Sequence, residues 1–523
     1  MASIRNILFI MADQLRADYL SCYGHPHIST PTIDGLAKKG TRFTRAYANA
    51  TVCGPSRMSY YTGRYVSSHG STWNSVPLRV GEPTLGHHLR ALGVRAAVVG
   101  KTHMAADWEG MVSLGVPLTS AEGVFSAECG FEPFERDDGL HPDALASDRL
   151  PYNRYLRALG YEGANPWQSA ANAAKGNNKR PKSGWFMRNS HLPAIVADEH
   201  SETAYTTNRA MGFMRTAGDT PWCLHLSYIK PHWPYIVSAP YHSMYSTDDV
   251  ISPNRSKAEK KDPHPVYAAY MRHTESKAFA KEKIRQAVVP IYMGLIRQID
   301  DHLRRLFAFM KSEGLMDNTM IVLCSDHGDY LGDHWLGEKE LFHEPVSRVP
   351  MIIYDPDPAA DKMRGKTCND LVEAIDLAPT FVDAYGGALL DHILEGRSLL
   401  PLLRGGNASW REAAISELDY CLRQAREDLG VAPDKARAWM VRSDHWKYIH
   451  YEGFPAQLFD LRNDPDELTD LGRDLAYSKV REEHRGQLSE WSLSRRMRIT
   501  ISNDVIRQST RNWREHGIII GEW

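Results

Sequence analysis

Five short apolar runs, at residues 7–11, 94–99, 222–228, 320–324 and 351–354, recur across the chain with helical stretches between them. Each run has the length and apolar content of a strand covered on both faces. None approaches the roughly 18 residues of a membrane span. Between them, Thr30 and Pro31 open a helical pattern that stops at Gly40. A longer pattern covers 284–313, where Ile291, Leu295, Ile299, Leu303 and Leu306 keep helical spacing and Pro290 predicts a kink or restart. Another covers 371–385. The alternation predicts an α/β fold with a large, mainly parallel sheet flanked by helices. Four of the runs lead into polar groups: Asp13 and Gln14, Lys101 and His103, His232, and Asp326 and His327. Open parallel sheets bind ligands outside the carboxyl ends of their strands, so one pocket can collect all of these side chains.

At 523 residues the chain exceeds a single core. The large α/β domain is expected over 1–405, with insertions at about 130–283, where Pro, Asn, Trp and His are frequent and periodicity is weak. Within them, 171–184 reads as a polar, basic, exposed loop. Residues 406–487 change character. Alternating runs at 439–442 and 446–451 flank a Ser443-Asp444 turn, and 457–461 follows, predicting a small antiparallel sheet with a helix. The tail, 488–523, is basic and ends in Ile518-Ile519-Ile520 and Trp523. It docks on a neighbouring subunit of a homo-oligomer, dimer or tetramer, or packs on its own body.

The formal net charge of −2 lacks the basic excess of a nucleic-acid binder. The opening apolar stretch is short and meets Asp13 at once, unlike a secretory segment. The seven cysteines, 22, 53, 129, 223, 324, 368 and 421, are sparse and odd in number, which suits a reducing cytoplasm. The expectation is a cytoplasmic protein without membrane or nucleic-acid partners.

Asp13, Gln14, Asp326 and His327 offer oxygen and imidazole donors suited to a hard divalent cation, and no CxxC pair supports thiolate zinc. Cys53 stands in Val52-Cys53-Gly54-Pro55-Ser56-Arg57. Pro55 places it at a helix start, in positive potential, with Arg57 one turn on. A lone cysteine can also be a buried structural one. A cysteine phosphatase would need arginine six positions later, where Ser59 stands.

Cys53-x-Pro55-Ser56-Arg57, followed by Thr62-Gly63-Arg64, resembles the signature of type I, formylglycine-dependent sulfatases in the alkaline phosphatase superfamily. The resemblance extends over most of the chain. It includes Asn6-Ile7-Leu8-Phe9-Ile10 to Asp13, Gly100-Lys101-Thr102-His103 and Lys230-Pro231-His232-Trp233-Pro234. It continues through Ser325-Asp326-His327-Gly328 and Leu458-Phe459-Asp460-Leu461 to Asp464-Pro465 and Glu467. Many sulfatases have Asp where Gln14 stands and Asn where His327 stands. Asp-Gln and Asp-His look like the phosphonate monoester hydrolase and phosphodiesterase branch, as do Asn74, the chain length and the long tail. Lys101 and His103 instead match sulfatases, because phosphonate-active members carry Tyr and Thr there.

This resemblance implies an alkaline-phosphatase-like sandwich and conversion of Cys53 to formylglycine (3-oxoalanine) by a formylglycine-generating enzyme. It implies one divalent ion, calcium or manganese, on Asp13, Gln14, residue 53, Asp326 and His327. The hydrated aldehyde would attack the ester. Lys101, Lys339 and Asn74 would hold the non-bridging oxygens, and Arg57 would orient the nucleophile. His232 would protonate the leaving oxygen, and His103 would deprotonate the second hydroxyl so that the product is released. The implied reaction is hydrolysis of a small anionic ester, a sulfate monoester, with phosphonate monoester or phosphodiester hydrolysis as the alternative. Trp233 and Tyr235 line the pocket or belong to the core.

Overall fold

Alternate residues of the first apolar run fall into two different cores. In the computed structural model, which describes residues 4–176, 180–406, 409–510, 515–521 and 523, strand β1 (Asn6–Asp13) places Ile7, Phe9 and Met11 in one apolar cluster. Leu8, Ile10 and Ala12 lie in another. All eight residues are buried, as a strand covered on both faces requires.

The further strands of the main sheet are β2 (Thr41–Tyr47), β3 (Arg95–Gly100) and β4 (Glu132–Arg136). A separate hairpin joins β5 (Ala173–Lys175) to β6 (Pro181–Ser183). The main sheet resumes with β7 (Trp222–Pro231), β8 (Thr319–Ser325), β9 (Arg348–Tyr354), β10 (Thr367–Cys368) and β11 (Val372–Glu373). Its order is β10-β2-β9-β8-β1-β7-β3-β4, with β11 also paired to β2. Strand β9 is antiparallel to β8 and β2, and the other pairs are parallel. Helices Pro31–Lys39, Glu202–Thr216 and Glu282–Ser312 cover one face. Helices Cys53–Thr62, Leu85–Ala91 and Leu377–Ala384 cover the other. The fold is thus the expected mainly parallel α/β sandwich.

Three local expectations are corrected. The Glu282–Ser312 helix runs unbroken through Pro290. Val288, Val289, Ile291 and Tyr292 are all buried around it, and that packing outweighs the lost backbone bond. The helix expected over 371–385 starts only at Leu377, after β11 and a short turn. Buried Glu373 fixes the earlier segment by accepting from Tyr65 Oη (2.8 Å) and the Ile415 N–H (2.7 Å). The segment 171–184 is not simply an exposed loop. Ala171 to Ala174 are buried beside Trp167 and Ile236, and the hairpin closes over them, while 177–179 lie outside the described residues.

A second, antiparallel sheet follows, built from β12 (Ala414–Asp419), β13 (Arg437–Arg442), β14 (Trp446–Tyr451) and β15 (Gln457–Asp460). Met440, Ile449 and Phe459 pack with Tyr47 and Val52 of the larger unit. Ile415, Val441 and Leu458 lie under helix Ser478–Leu493. The Glu417 N–H donates to Asn49 O (2.8 Å), so this sheet braces the segment leading to Cys53. In the tail, Met497 and Ile520 are 93% and 90% exposed, without cover among the described residues. Among the described residues, no helix is long and apolar enough to cross a membrane.

Candidate active site

The carboxyl ends of β1, β3, β7 and β8 meet at one place. Asp13 closes β1, Lys101 follows β3, His232 follows β7 and Asp326 follows β8. Cys53 is the first residue of helix Cys53–Thr62 and is fully buried. Its Sγ lies 3.0 Å from Lys339 Nζ, 3.1 Å from His327 Nε2 and 3.8 Å from Asp13 Oδ1. Burial alone would push its thiol up. The opposing field of Lys339, Lys101 and His327, with a hydrogen bond from His103, holds it well below the ordinary range. Residue 53 therefore sits where negative charge is strongly favoured.

Arg57 organises the acids. Its Nε donates to Asp326 Oδ2 (2.8 Å) and its Nη2 to Asp13 Oδ2 (3.2 Å), and all three side chains are fully buried. Nη1 donates to Lys101 O (2.9 Å) and Ser227 Oγ (2.8 Å), fixing the guanidinium plane. Lys101 Nζ lies 2.5 Å from Asp13 Oδ2. Burial would raise the Asp13 pKa, and Cys53 adds to that. Lys101, His232 and Arg57 instead hold the carboxyl well below the usual range.

Asp326 Oδ1 accepts from the backbone N–H groups of Gln14 and His327, each at 3.0 Å. His327 Nδ1 donates to Gly328 O (2.9 Å), which leaves Nε2 facing Cys53. Gln14 Nε2 donates to Asp329 Oδ2 (2.6 Å), which turns Oε1 toward Lys339. Ligand atoms of Asp13, Cys53, Asp326 and His327 lie within 4.8 Å of one another. Two carboxylates, an imidazole and an adjacent amide oxygen fit a hard divalent cation by donor chemistry.

On the opposite side, His232 Nδ1 donates to Trp233 O (2.8 Å), and Nε2 accepts from Lys339 Nζ (3.2 Å). Burial and the neighbouring Lys339 push its pKa down to about 3. His103 is anchored through its N–H on Asp138 Oδ1 (2.9 Å), and its Nδ1 is buried without a hydrogen-bond partner. Asn74 departs from a simple substrate-facing role, since its Oδ1 accepts from the Gly54 N–H (2.8 Å) at the start of the Cys53 helix. Gln14, His103, Glu338 and Glu340 have φ of 64°, 52°, 62° and 77°. Such strain at non-glycine residues clusters where side chains must be aimed.

All eleven residues singled out from sequence thus lie in or against one site. Three supporting residues were missed: Ser227 behind Arg57, Asp138 behind His103 and Asp329 behind Gln14. Only Asp329 carried a signal, as an acid three positions after Asp326. Trp233 and Tyr235 line one cavity beside the site, and Tyr235 Oη also donates to Asp329 Oδ2 (2.6 Å).

Comparison with solved structures places this architecture among alkaline-phosphatase-like hydrolases. The phosphonate monoester hydrolase of Agrobacterium radiobacter superposes with a TM-score of 0.81 at 27% identity, covering 93% of this chain and 95% of that one. The chain belongs to the sulfatase family: the profile described as Sulfatase matches residues 5–387. A second profile, N-sulphoglucosamine sulphohydrolase, C-terminal, matches 332–494. Among relatives, the multifunctional alkaline phosphatase superfamily protein PehA of Trinickia caryophylli is 29% identical over 94% of this chain and 95% of its own length. The arylsulfatase of Clostridium perfringens is 26% identical over 89% and 90%.

Proposed function

We propose that this chain hydrolyses aryl or alkyl sulfate monoesters, with residue 53 acting as formylglycine after maturation by a formylglycine-generating enzyme. The observation that carries the reading is the setting of Cys53, enclosed by Lys339, His327 and the Asp13–Lys101 pair at a helix start. A hydrated aldehyde carries two hydroxyls on Cβ: one can attack, and the other, once deprotonated, expels the product. A divalent ion held by Asp13, Gln14, Asp326 and His327, calcium or manganese, would lower a hydroxyl pKa and stabilise anionic oxygens.

Around that nucleophile, Lys101 and Lys339 bind the non-bridging oxygens, and Asn74 fixes the helix start with its amide N–H2 left to join them. Arg57 keeps Asp13 and Asp326 in register. His103 takes the proton from the second hydroxyl. His232 protonates the leaving oxygen. Its Nε2 accepts from Lys339 Nζ, and an arriving anion favours the imidazolium that can donate. His232→Ala should cut kcat about 100-fold on an alkyl sulfate, within the usual range for general acids. The loss should be far smaller on 4-nitrophenyl sulfate, whose leaving group needs no proton. Equal losses on both would remove His232 from that role.

Gln14 and His327 favour a second reading, phosphonate monoester or phosphodiester hydrolysis. These esters and sulfate monoesters each carry one negative charge, so one cation cage can serve them all. Measuring kcat/KM on 4-nitrophenyl sulfate, 4-nitrophenyl phenylphosphonate and bis(4-nitrophenyl) phosphate decides between them. The sulfate should react fastest, and a faster phosphorus ester would reverse the assignment.

The cation assignment has its own test. Adding calcium or manganese to chelator-treated protein should raise its melting temperature, since a ligand at 100-fold over Kd adds about 3 kcal/mol. Asp326→Asn should abolish most of that response, whereas an unchanged melting temperature in the wild type would refute the site. The exposed tail apolar groups support a homo-oligomer, whose mass light scattering would give.

A further inference from the structure

A cavity of about 260 Å³ opens beside the cage, walled by Trp185, Trp233, Tyr235 and Phe279 and edged by Glu338. Two links join it to the reacting centre. The Trp233 ring lies against the His232 ring, with centroids 4.3 Å apart, and Glu338 immediately precedes Lys339. On the reading that His232 faces the leaving oxygen, this cavity receives whatever that oxygen carries.

Its charge is unbalanced. Arg423 pairs with Glu275 at 2.5 Å and with Glu340 at 3.0 Å, so one cation serves two carboxylates. Glu338 is a third carboxylate, and its side chain makes no hydrogen bond or ion pair among the described residues. Lys339 does not supply one, because its ammonium is engaged with Cys53, Gln14 and His232. Burial pushes the Glu338 carboxyl up to about 7, against the pull of Lys339 and with help from Glu275 and Glu340. A carboxylate held beside aromatic walls without a partner is matched by a cation that also lies on ring faces. The Trp185 and Trp233 rings, 5.7 Å apart and inclined at 59°, offer such faces.

We propose that this cavity is the leaving-group subsite and that it takes an alcohol or phenol bearing a protonated amine at its far end. The assignment rests on the ester-hydrolase reading above and narrows it. A neutral leaving group of the same shape gains only apolar burial there. An anionic one meets the two lining carboxylates, Glu275 and Glu338, against a single arginine already shared with buried Glu340.

The test uses three aryl sulfates matched in shape: tyramine sulfate, 4-ethylphenyl sulfate and the sulfate of 3-(4-hydroxyphenyl)propionate. Their phenol leaving groups are electronically alike, so kcat/KM differences report the far end. Tyramine sulfate should exceed 4-ethylphenyl sulfate by about tenfold, the scale of one charge-assisted hydrogen bond, and the propionate should be slowest. In Glu338→Gln that tenfold ratio should fall toward one. Calorimetric titration of the wild-type chain with free tyramine, 4-ethylphenol and 3-(4-hydroxyphenyl)propionate gives the same ranking without turnover. If none of the esters reacts but tyramine binds best, and binds less well to Glu338→Gln, the hydrolase reading fails and the subsite stands. Equal kcat/KM or equal binding across the three, or preference for the propionate, overturns the subsite. The wild-type ratios decide even if Glu338→Gln misfolds.

Discussion

Replacing Cys53 by alanine should reduce turnover of every ester this chain cleaves by roughly ten-thousand-fold or more, the scale of losing an activated nucleophile. Circular dichroism should stay unchanged, because Sγ is one atom at a helix start whose backbone bonds do not depend on it. Cys53→Ser separates two meanings of that loss. A serine hydroxyl can be esterified, but it has no second hydroxyl on the same carbon to expel the product. The serine variant should therefore give at most one product per enzyme, whereas sustained turnover by it would show that no aldehyde hydrate is needed. Stopped assays with an aryl sulfate measure both quantities.

Arg57→Met carries the second large effect, and it falls on stability as well as activity. The guanidinium lies between Asp13 and Asp326 with none of the three side chains exposed. Removing one partner of such a network strands buried charge and costs about 3–5 kcal/mol. A methionine of similar reach restores packing but no charge, so the penalty isolates electrostatics from cavity formation. Denaturant midpoints should shift accordingly, and turnover should fall with them, since the two aspartates lose the contact that holds them in register. A shift below about 1 kcal/mol, the value of an exposed pair, would show that Arg57 is not the keystone of the site.

Much of the main sheet was legible because its central strands are buried on both faces. The runs at 7–11, 222–228 and 320–324 became β1, β7 and β8, each extended by two or three residues, and the run at 94–99 became β3 shifted by one residue to 95–100. Strands that must also answer to polar neighbours were not legible. Strand β2 reads Thr-Arg-Phe-Thr-Arg-Ala-Tyr, and β4, at the sheet edge, reads Glu-Pro-Phe-Glu-Arg. Neither is an apolar run, and both are held by their pairing. Strand β11 was hidden for a different reason: Glu373 is drawn out of a helical pattern by partners at Tyr65 and Ile415, over 40 residues away.

The site divides along similar lines. Groups following buried strands announced themselves, because the fold class says where strand ends converge. Lys339 follows no strand. Its place came only from the family resemblance, and the structure brings it to 3.0 Å from Sγ through a loop in left-handed conformations at Glu338 and Glu340. Ser227 and Asp138 act through tertiary contacts that no local spacing encodes. The substrate-facing reading of Asn74 likewise omitted its bond to the Gly54 N–H.

The most direct measurement is the mass of the peptide containing residue 53, taken from protein produced with a formylglycine-generating enzyme and shown to turn over ester. Conversion of CH2SH to CHO removes roughly 18 Da, and the converted fraction should rise in proportion to specific activity if the aldehyde is the covalent catalyst. A fully active preparation whose residue 53 retains the mass of an unmodified cysteine would contradict the account.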